Sequence, residues 1–295
     1  MKFTIEDISK YYDYKRKSYN QKYNLGYYTH IHTGFYSPQD FPILHRDGID
    51  LQGLGMKLIK HLLFVGQENL TRHACSSLSN RGCRNVMDCG CGHGGTSIYL
   101  AQNHNIHVVA ITVSQEQVLQ TKHFVRMAGV ENLVETRLMN VFDAYLGDAA
   151  FDGIVSIDSF CQIGNFKTLL PVLSKIMRQG GVLVVCDNFI DKRAKDFKRR
   201  FDSYWRSDIS TLQDLLDVAV AQEFIVKDVT DQTITQIPFW KLSGTHSKLL
   251  LMSKKIENNQ AERQRLVQSL SFHNDLLHAF LDGDMYYYSL VLQKR

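Results

Sequence analysis

The stretch VMDCGCGHGG at residues 86–95 sets four glycines beside a carboxylate. A glycine-rich turn between a strand and a helix lets a ligand approach the backbone N–H groups at the helix start. Gly90, Gly92 and Gly95 match the dinucleotide spacing G-x-G-x-x-G. A dinucleotide site would also need an acidic residue about 20 positions on, at the end of the next strand, to hold the ribose. The first acid there is Glu116, already inside the following helix, and no basic side chain replaces it for a 2′-phosphate. Asp88 is a second discriminator, because two residues before Gly90 its carboxylate can order the loop and face a cation. S-adenosylmethionine offers an ammonium and a sulfonium there, whereas a pyrophosphate would be repelled. His30 and His32 stand in H-x-H spacing without a nearby third metal ligand. Loop histidines, cation-facing rings, proton acceptors and metal ligands all remain open for them. The cysteines at 75, 83, 89, 91, 161 and 186 form no C-x-x-C pair and read as reduced thiols.

Hydrophobic periodicity supplies the elements that must position these groups. Strands are expected at 85–89, 107–113, 133–140, 151–158, 182–188, 224–231 and 285–294, and helices at 96–104, 114–127 and 169–177. Strands alternating with helices imply an α/β fold, a mostly parallel seven-stranded sheet with helices on both faces. Residues 1–80 read as a helical, aromatic lid segment, and 81–295 as the core. The core carries a helical insertion at about 191–218 and a helical segment at about 240–281. Eight of the fourteen tyrosines fall in residues 1–41, interleaved with Lys10, Lys15, Arg16, Lys17 and Lys22.

Composition narrows the class. With 295 residues, 44% of them hydrophobic and 22% charged, the chain can bury a sizeable core. No apolar run approaches the roughly 20 residues of a membrane span. The opening MKFTIEDISK has no hydrophobic stretch after its charge, so a cytoplasmic protein is expected. The net charge of +4 is matched by the window 191–206 alone, with seven basic and three acidic residues. A patch of that size suits a solvated helix face or a compact anionic ligand better than nucleic acid.

Asp88, Gly90, Gly92 and Gly94 resemble the first motif, D-x-G-x-G-x-G, of class I S-adenosylmethionine-dependent methyltransferases. Asn140-Val141-Phe142-Asp143, at the adenine position, Phe151-Asp152-Gly153 and Arg178-Gln179-Gly180-Gly181 are similar to later stations of that family. Thr112-Val113-Ser114 with Gln117 resembles the V-T-L-S-x-x-Q motif of enzymes that methylate carbon, in which Thr and Gln contact the cofactor. Ala110 stands where those enzymes have glycine. Residues 237–242 (IPFWKL), 281–287 (LDGDMYY) and 34–36 (GFY) look like segments of geranyl diphosphate C-methyltransferases. This likeness runs from about residue 19 to the C-terminus. It implies a Rossmann-like methyltransferase fold, with Asp88, Gly90, Gly92, Gly94, Thr112, Gln117, Asn140, Val141 and Asp158 at the cofactor.

The implied reaction is methylation of an alkene carbon of a prenyl diphosphate, as in terpenoid biosynthesis, through a carbocation that aromatic faces stabilise. Tyr28, Tyr36, Gln162, Arg199, Arg200, Trp240 and Tyr286 are candidates for the substrate, with Mg²⁺ as an optional partner of its diphosphate. Asp158, His30, His32, Phe160 and Tyr204 are candidates for catalysis. The prenyl family carries a Glu after the fourth strand that is thought to take the final proton, and alignment puts Phe160 there. A phenyl ring cannot take a proton, so methylation coupled to cyclisation or rearrangement is the expectation. An O- or N-methyltransferase built on the same core is the alternative, and would need a base such as His30, His32 or Asp158. A homo-oligomer is compatible with an aromatic N-terminal helix that covers a neighbour.

Overall fold

The computed structural model describes residues 3–23, 29–46, 48–143, 146–253, 256 and 259–295, and of 16–21 the backbone only. Its strands are β1 (Asn85–Cys89), β2 (His107–Thr112), β3 (Val134–Leu138), β4 (Phe151–Ile157), β5 (Met177–Ile190), β6 (Phe224–Asp231) and β7 (Met285–Lys294). They form one sheet in the order β3-β2-β1-β4-β5-β7-β6, parallel from β1 to β5. Strand β7 lies antiparallel between β5 and β6. The helices are α1 (Ile5–Tyr23), α2 (Gly55–Ser79), α3 (Gly95–His104), α4 (Gln115–Ala128), α5 (Phe160–Ile163), α6 (Phe166–Ile176), α7 (Lys195–Trp205), α8 (Leu212–Ala221), α9 (Thr233–Leu251) and α10 (Gln260–Leu281).

Both faces of the sheet are covered, which is why its central strands read as nearly continuous apolar runs. Along β5, Val182, Val184 and Cys186 join one core with α2, α3, α9 and α10, while Leu183 and Val185 join the other with α6 and α8. Helix α2 contributes Leu63, Leu70 and Leu78 to the first core. Helix α1 instead lies across the carboxyl ends of the strands, where the Ser114 hydroxyl donates to Asp13 Oδ1 at 2.5 Å.

Two expectations shift at their edges. The fifth strand begins at Met177, which pairs with Phe151 before the exposed residues 178–180 bulge out and Val182 pairs with Gly153. Gly180, at φ 76°, supplies the left-handed backbone for that bulge. The insertion divides into α7 and α8, because Thr211 and Asp214 form a capping box that starts a fresh helix. Among the described residues no helix is long and apolar enough to cross a membrane.

Candidate active site

A cavity of about 400 Å³ opens at the carboxyl ends of β1, β2 and β4, under α1. This is where the strand order reverses and open α/β sheets bind ligands. Asp88, next to last on β1, is 3% exposed and accepts from the Ser97 hydroxyl at 2.6 Å. Burial pushes its carboxyl up to about 6, against the Ser97 hydrogen bond. A cationic ligand would restore its charge. The turn that follows depends on Gly90, at φ 85°, where a Cβ would sit 2.5 Å from Ser159 Cβ.

At the far side, Ser114 caps α4 by accepting from the Gln117 N–H at 3.1 Å, a bond worth about 1 kcal/mol. That cap brings the Thr112 hydroxyl onto Gln117 Oε1 at 2.5 Å and leaves the Gln117 amide NH₂ for the cavity. Met139, Asn140, Val141 and Phe142 line the next part of the cavity, a mainly apolar slot that would take an adenine ring. The residues therefore fit S-adenosylmethionine, with its cation at Asp88, its ribose by Thr112 and Gln117, and its base in the slot.

A second cavity of about 100 Å³ adjoins the first; Tyr12, Ile31, His32, Asp158 and Gln162 line both. Tyr204, Trp205, Phe239 and Trp240 form much of its wall, with Tyr204 stacked on Phe272 at 3.8 Å. Lys15 and Lys22 of α1 reach into it, and desolvation pulls their ammonium groups down to about 8 and about 7. Five polar atoms of its lining have no hydrogen-bond partner among the described residues: Thr33 Oγ1, Asp158 Oδ1, Asn188 Oδ1, Trp240 Nε1 and His273 Nδ1. Each such atom costs about 1–3 kcal/mol if left unmatched, so a ligand or ordered water that matches them gains binding energy here.

Asp158 stands at the junction. Its φ of 53° is held by its N–H donating to Cys186 O at 2.9 Å, and its Oδ2 accepts the Thr33 N–H at 2.6 Å. Burial raises both it and the neighbouring Asp187 above the ordinary carboxylate range. Both His32 nitrogens are engaged: Nδ1 donates to Thr33 O at 2.7 Å, and Nε2 meets Thr71 Oγ1 at 2.9 Å and His30 Nδ1 at 3.2 Å. Burial drives His32 down to about 3. His30 Nε2 continues the chain to Glu68 Oε1 at 3.2 Å.

The family model for mycolic acid cyclopropane synthetase matches residues 60–230. This chain belongs to that family. It is a class I S-adenosylmethionine-dependent methyltransferase. Among curated proteins, the O-methyltransferase resE of Aspergillus sclerotiorum is 28% identical over 127 residues, 43% of this chain and 48% of that protein. The chain spans about half the length of the curated relatives it matches first. Two solved structures share its whole fold. Geranyl diphosphate C-methyltransferase from Streptomyces coelicolor A3(2), in complex with Mg²⁺, geranyl-S-thiolodiphosphate and S-adenosyl-L-homocysteine, has a TM-score of 0.78 at 16% identity, covering 99% of this chain and 98% of that one. The cyclopropane synthase MmaA2 from Mycobacterium tuberculosis has a TM-score of 0.79 at 14% identity, covering 100% and 99%.

Within this methyltransferase, the expected cofactor residues Asp88, Gly90, Gly92, Thr112, Gln117, Asn140, Val141 and Asp158 all line the first cavity. Gly94 does not; it caps α3 in the left-handed region with Thr121 against it. Of the residues expected at the substrate or in catalysis, His32, Asp158, Gln162, Tyr204 and Trp240 line the second cavity, and His30 lines the first. Phe160 reaches neither: its ring is fully buried in the second core beside Phe166. Tyr36 is also fully buried, its hydroxyl bonded to Leu62 O at 2.8 Å. Tyr286, on β7, pairs with Phe189 away from both cavities. Arg199 is exposed and bonded to Asp196 at 2.5 Å, and Arg200 pairs with Asp275 at 2.7 Å. The 191–206 charge run is thus mainly a solvated face. Tyr28 lies outside the described residues.

Lys15 and Lys22 entered the sequence reading only among the basic residues of the tyrosine-rich segment, Phe239 only within 237–242, and Asn188 and His273 not at all. The two lysines had a signal, since a spacing of seven puts them on one face of a helix. The other three come together only in the folded chain.

Proposed function

We propose that this methyltransferase alkylates an alkene carbon of a geranyl or farnesyl diphosphate. The observation that carries the reading is the second cavity, where aromatic rings and the ammonium groups of Lys15 and Lys22 adjoin the cofactor site. When bound, S-adenosylmethionine supplies an electrophilic methyl carbon. An alkene needs no base before it attacks, and methylation leaves a tertiary carbocation on the prenyl chain. The protein must then orient the chain, exclude water and face the charge with electron-rich groups. Tyr204, Trp205 and Trp240 do so, each face contributing about 0.5–2 kcal/mol. Asp158 Oδ1, unpartnered and bordering both cavities, is the acceptor for the proton that ends the cation. That assignment fills the role for which Phe160 was unsuited. With Asp158 as the base, the missing glutamate no longer calls for coupled cyclisation.

The test is incubation with methyl-labelled S-adenosylmethionine and geranyl or farnesyl diphosphate, followed by dephosphorylation and gas chromatography–mass spectrometry. A labelled, open-chain C11 or C16 alcohol is expected. Label on a hydroxyl or amine acceptor, with none on either diphosphate, would replace this reading with O- or N-methylation. The name of the Aspergillus relative supports that second reading, and Asp158 would then serve as the base that activates the acceptor.

A further inference from the structure

We propose that Thr33 and Asn188 are catalytic groups whose side-chain oxygens, with Asp158, stabilise the positive charge that methyl transfer carries into the second cavity. The inference rests on the prenyl diphosphate reading and adds the groups that face its cation. As the alkene's electron pair forms the new C–C bond, the S–CH₃ bond breaks and its electrons stay on sulfur. One positive charge thereby leaves the cofactor cavity and appears on a prenyl carbon beyond the junction. Transfer of a proton from the adjacent carbon to Asp158 then ends it, and the freed pair forms the product's double bond. Ring faces attract such a charge through their quadrupoles. A fixed oxygen dipole aimed at it adds a further attraction that needs no reorganisation in the transition state.

Three such oxygens gather where the cavities meet. Thr33 Oγ1, Asn188 Oδ1 and Asp158 Oδ1 are buried, and none has a hydrogen-bond partner among the described residues. Asp158 lines both cavities, as do Ile31 and His32, the two residues before Thr33. Asn188 lies two residues past Cys186, whose carbonyl accepts the Asp158 N–H at 2.9 Å. Alternation along β5 keeps Cys186 and Asn188 on one face of the sheet. The backbone fixes both new groups. Thr33 donates its N–H to Asp158 Oδ2 at 2.6 Å, and its carbonyl accepts from His32 Nδ1 at 2.7 Å. Asn188 pairs with Tyr287 across β5 and β7, and its N–H donates to Asp187 Oδ1 at 2.7 Å. The donors of the cavity come from the helices instead, Lys15 and Lys22 from α1 and the Trp240 Nε1–H from α9. Acceptors on the strap and strand ends and donors on the helices give the cavity a polarity, with the cation at the oxygens and the anionic head at the ammonium groups.

The test compares two ligands of one shape, each at geranyl and at farnesyl length. One is a prenyl diphosphate analogue with an ammonium nitrogen in place of the carbon that bears the charge, as the labelled product locates it. The other is its saturated isostere with carbon there. Both would be titrated against the S-adenosylhomocysteine-loaded protein, in Mg²⁺ and in EDTA, by the fluorescence of Trp205 and Trp240, which line the cavity. We expect the parent to favour the ammonium analogue about 10- to 100-fold, as for charge-assisted contacts. Thr33→Val and Asn188→Leu should each cut that preference about 5- to 10-fold and leave affinity for the isostere within about threefold. Thr33→Ser should retain it. With the prenyl diphosphate itself, kcat should fall by a similar factor at nearly constant KM, which marks an interaction made in the transition state. Melting temperatures should equal or exceed the parent's, because each variant loses an unpartnered buried oxygen, and this separates lost recognition from lost folding. Equal parental affinity for the two analogues, or a preference that survives both substitutions, would overturn the inference. So would variants that weaken both analogues alike and lose the Mg²⁺ dependence of binding, because the oxygens would then hold a metal on the diphosphate. Those outcomes leave the prenyl diphosphate reading intact, whereas absence of binding by every analogue would overturn the reading and the inference with it.

Discussion

The two adjoining cavities are built on opposite plans. In the first, most polar groups are satisfied within the protein: Asp88 by Ser97, Thr112 by Gln117, and the Ser159 hydroxyl by Cys89 O at 2.7 Å. In the second, five polar atoms and two ammonium groups wait for partners. The first takes its glycine loop and helix cap from two short stretches, 88–95 and 112–117, and much of the rest of its lining from residues 3–12, 30–32, 139–142, 157–163 and 206–208. The second draws on α1, the 29–33 strap, the end of β4, β5, α7, α9 and α10. A pre-satisfied pocket holds one fixed ligand by shape and a few aimed donors. An unsatisfied pocket gains its binding energy from whatever ligand completes it, so a few substitutions there can change substrate without disturbing the cofactor.

Asp158 borders both cavities, and its replacement should break the contrast most severely. Asp158→Asn keeps the acceptor for the Thr33 N–H but removes the proton acceptor. Loss of a positioned base typically costs about 10²–10⁴-fold, and that loss is expected in kcat, with cofactor affinity changed by less than about tenfold. Because burial raises this carboxyl, parental kcat should climb with pH on an acid limb displaced above the ordinary carboxylate range. The variant should lack that limb. Single-turnover rates within threefold of the parent would remove Asp158 from the mechanism.

A smaller effect distinguishes the first cavity. In the free protein Asp88 titrates at about 6, and only its ionised form attracts the cofactor's cation. The neighbouring Cys89 thiol is held protonated, pushed up to about 12 by burial. Cofactor affinity should therefore be full above pH 7 and fall as pH drops through 6, by about tenfold at pH 5. Isothermal titration should show proton release on binding below pH 6. Asp88→Asn should bind weakly with little pH dependence. A parental affinity that stays flat from pH 5 to 8 would mean that the carboxylate does not face the cation.

This contrast also explains what could be read before the fold was known. The order of strands and helices followed from periodicity, and most of the residues expected at the cofactor, which line the first cavity, from a glycine loop and a helix cap, both of which are short-range features. Gly94 was the exception, because sequence spacing does not reveal whether a turn glycine touches the ligand or packs on Thr121. The second cavity was legible only in part. Tyr204 and Trp240 could be named because of their type, but Arg199 and Arg200 point outward on the amphipathic α7 while Phe197 and Phe201 point in. Lys15 and Lys22, nearly two hundred positions from Tyr204, acquire a role only when α1 folds over the strand ends.

Phe160 offers the mildest test and the sharpest one for product structure. Its position after β4 invited a role beside the cation, but the chain turns there. The Phe160 N–H donates to Asp187 Oδ2 at 2.6 Å, which fixes α5 and directs the ring away from the cavities into the second core. There it meets Phe166, with ring centroids 6.1 Å apart. Phe160→Leu preserves an apolar side chain and removes part of the ring volume, so it should cost about 1–2 kcal/mol of stability by analogy with other core truncations. Urea denaturation would measure that loss. The product profile and kcat should match the parent's at a temperature where both are folded, because no residue lining either cavity changes. A new product skeleton from this variant would place the ring within reach of the cation and reopen cyclisation as part of the reaction.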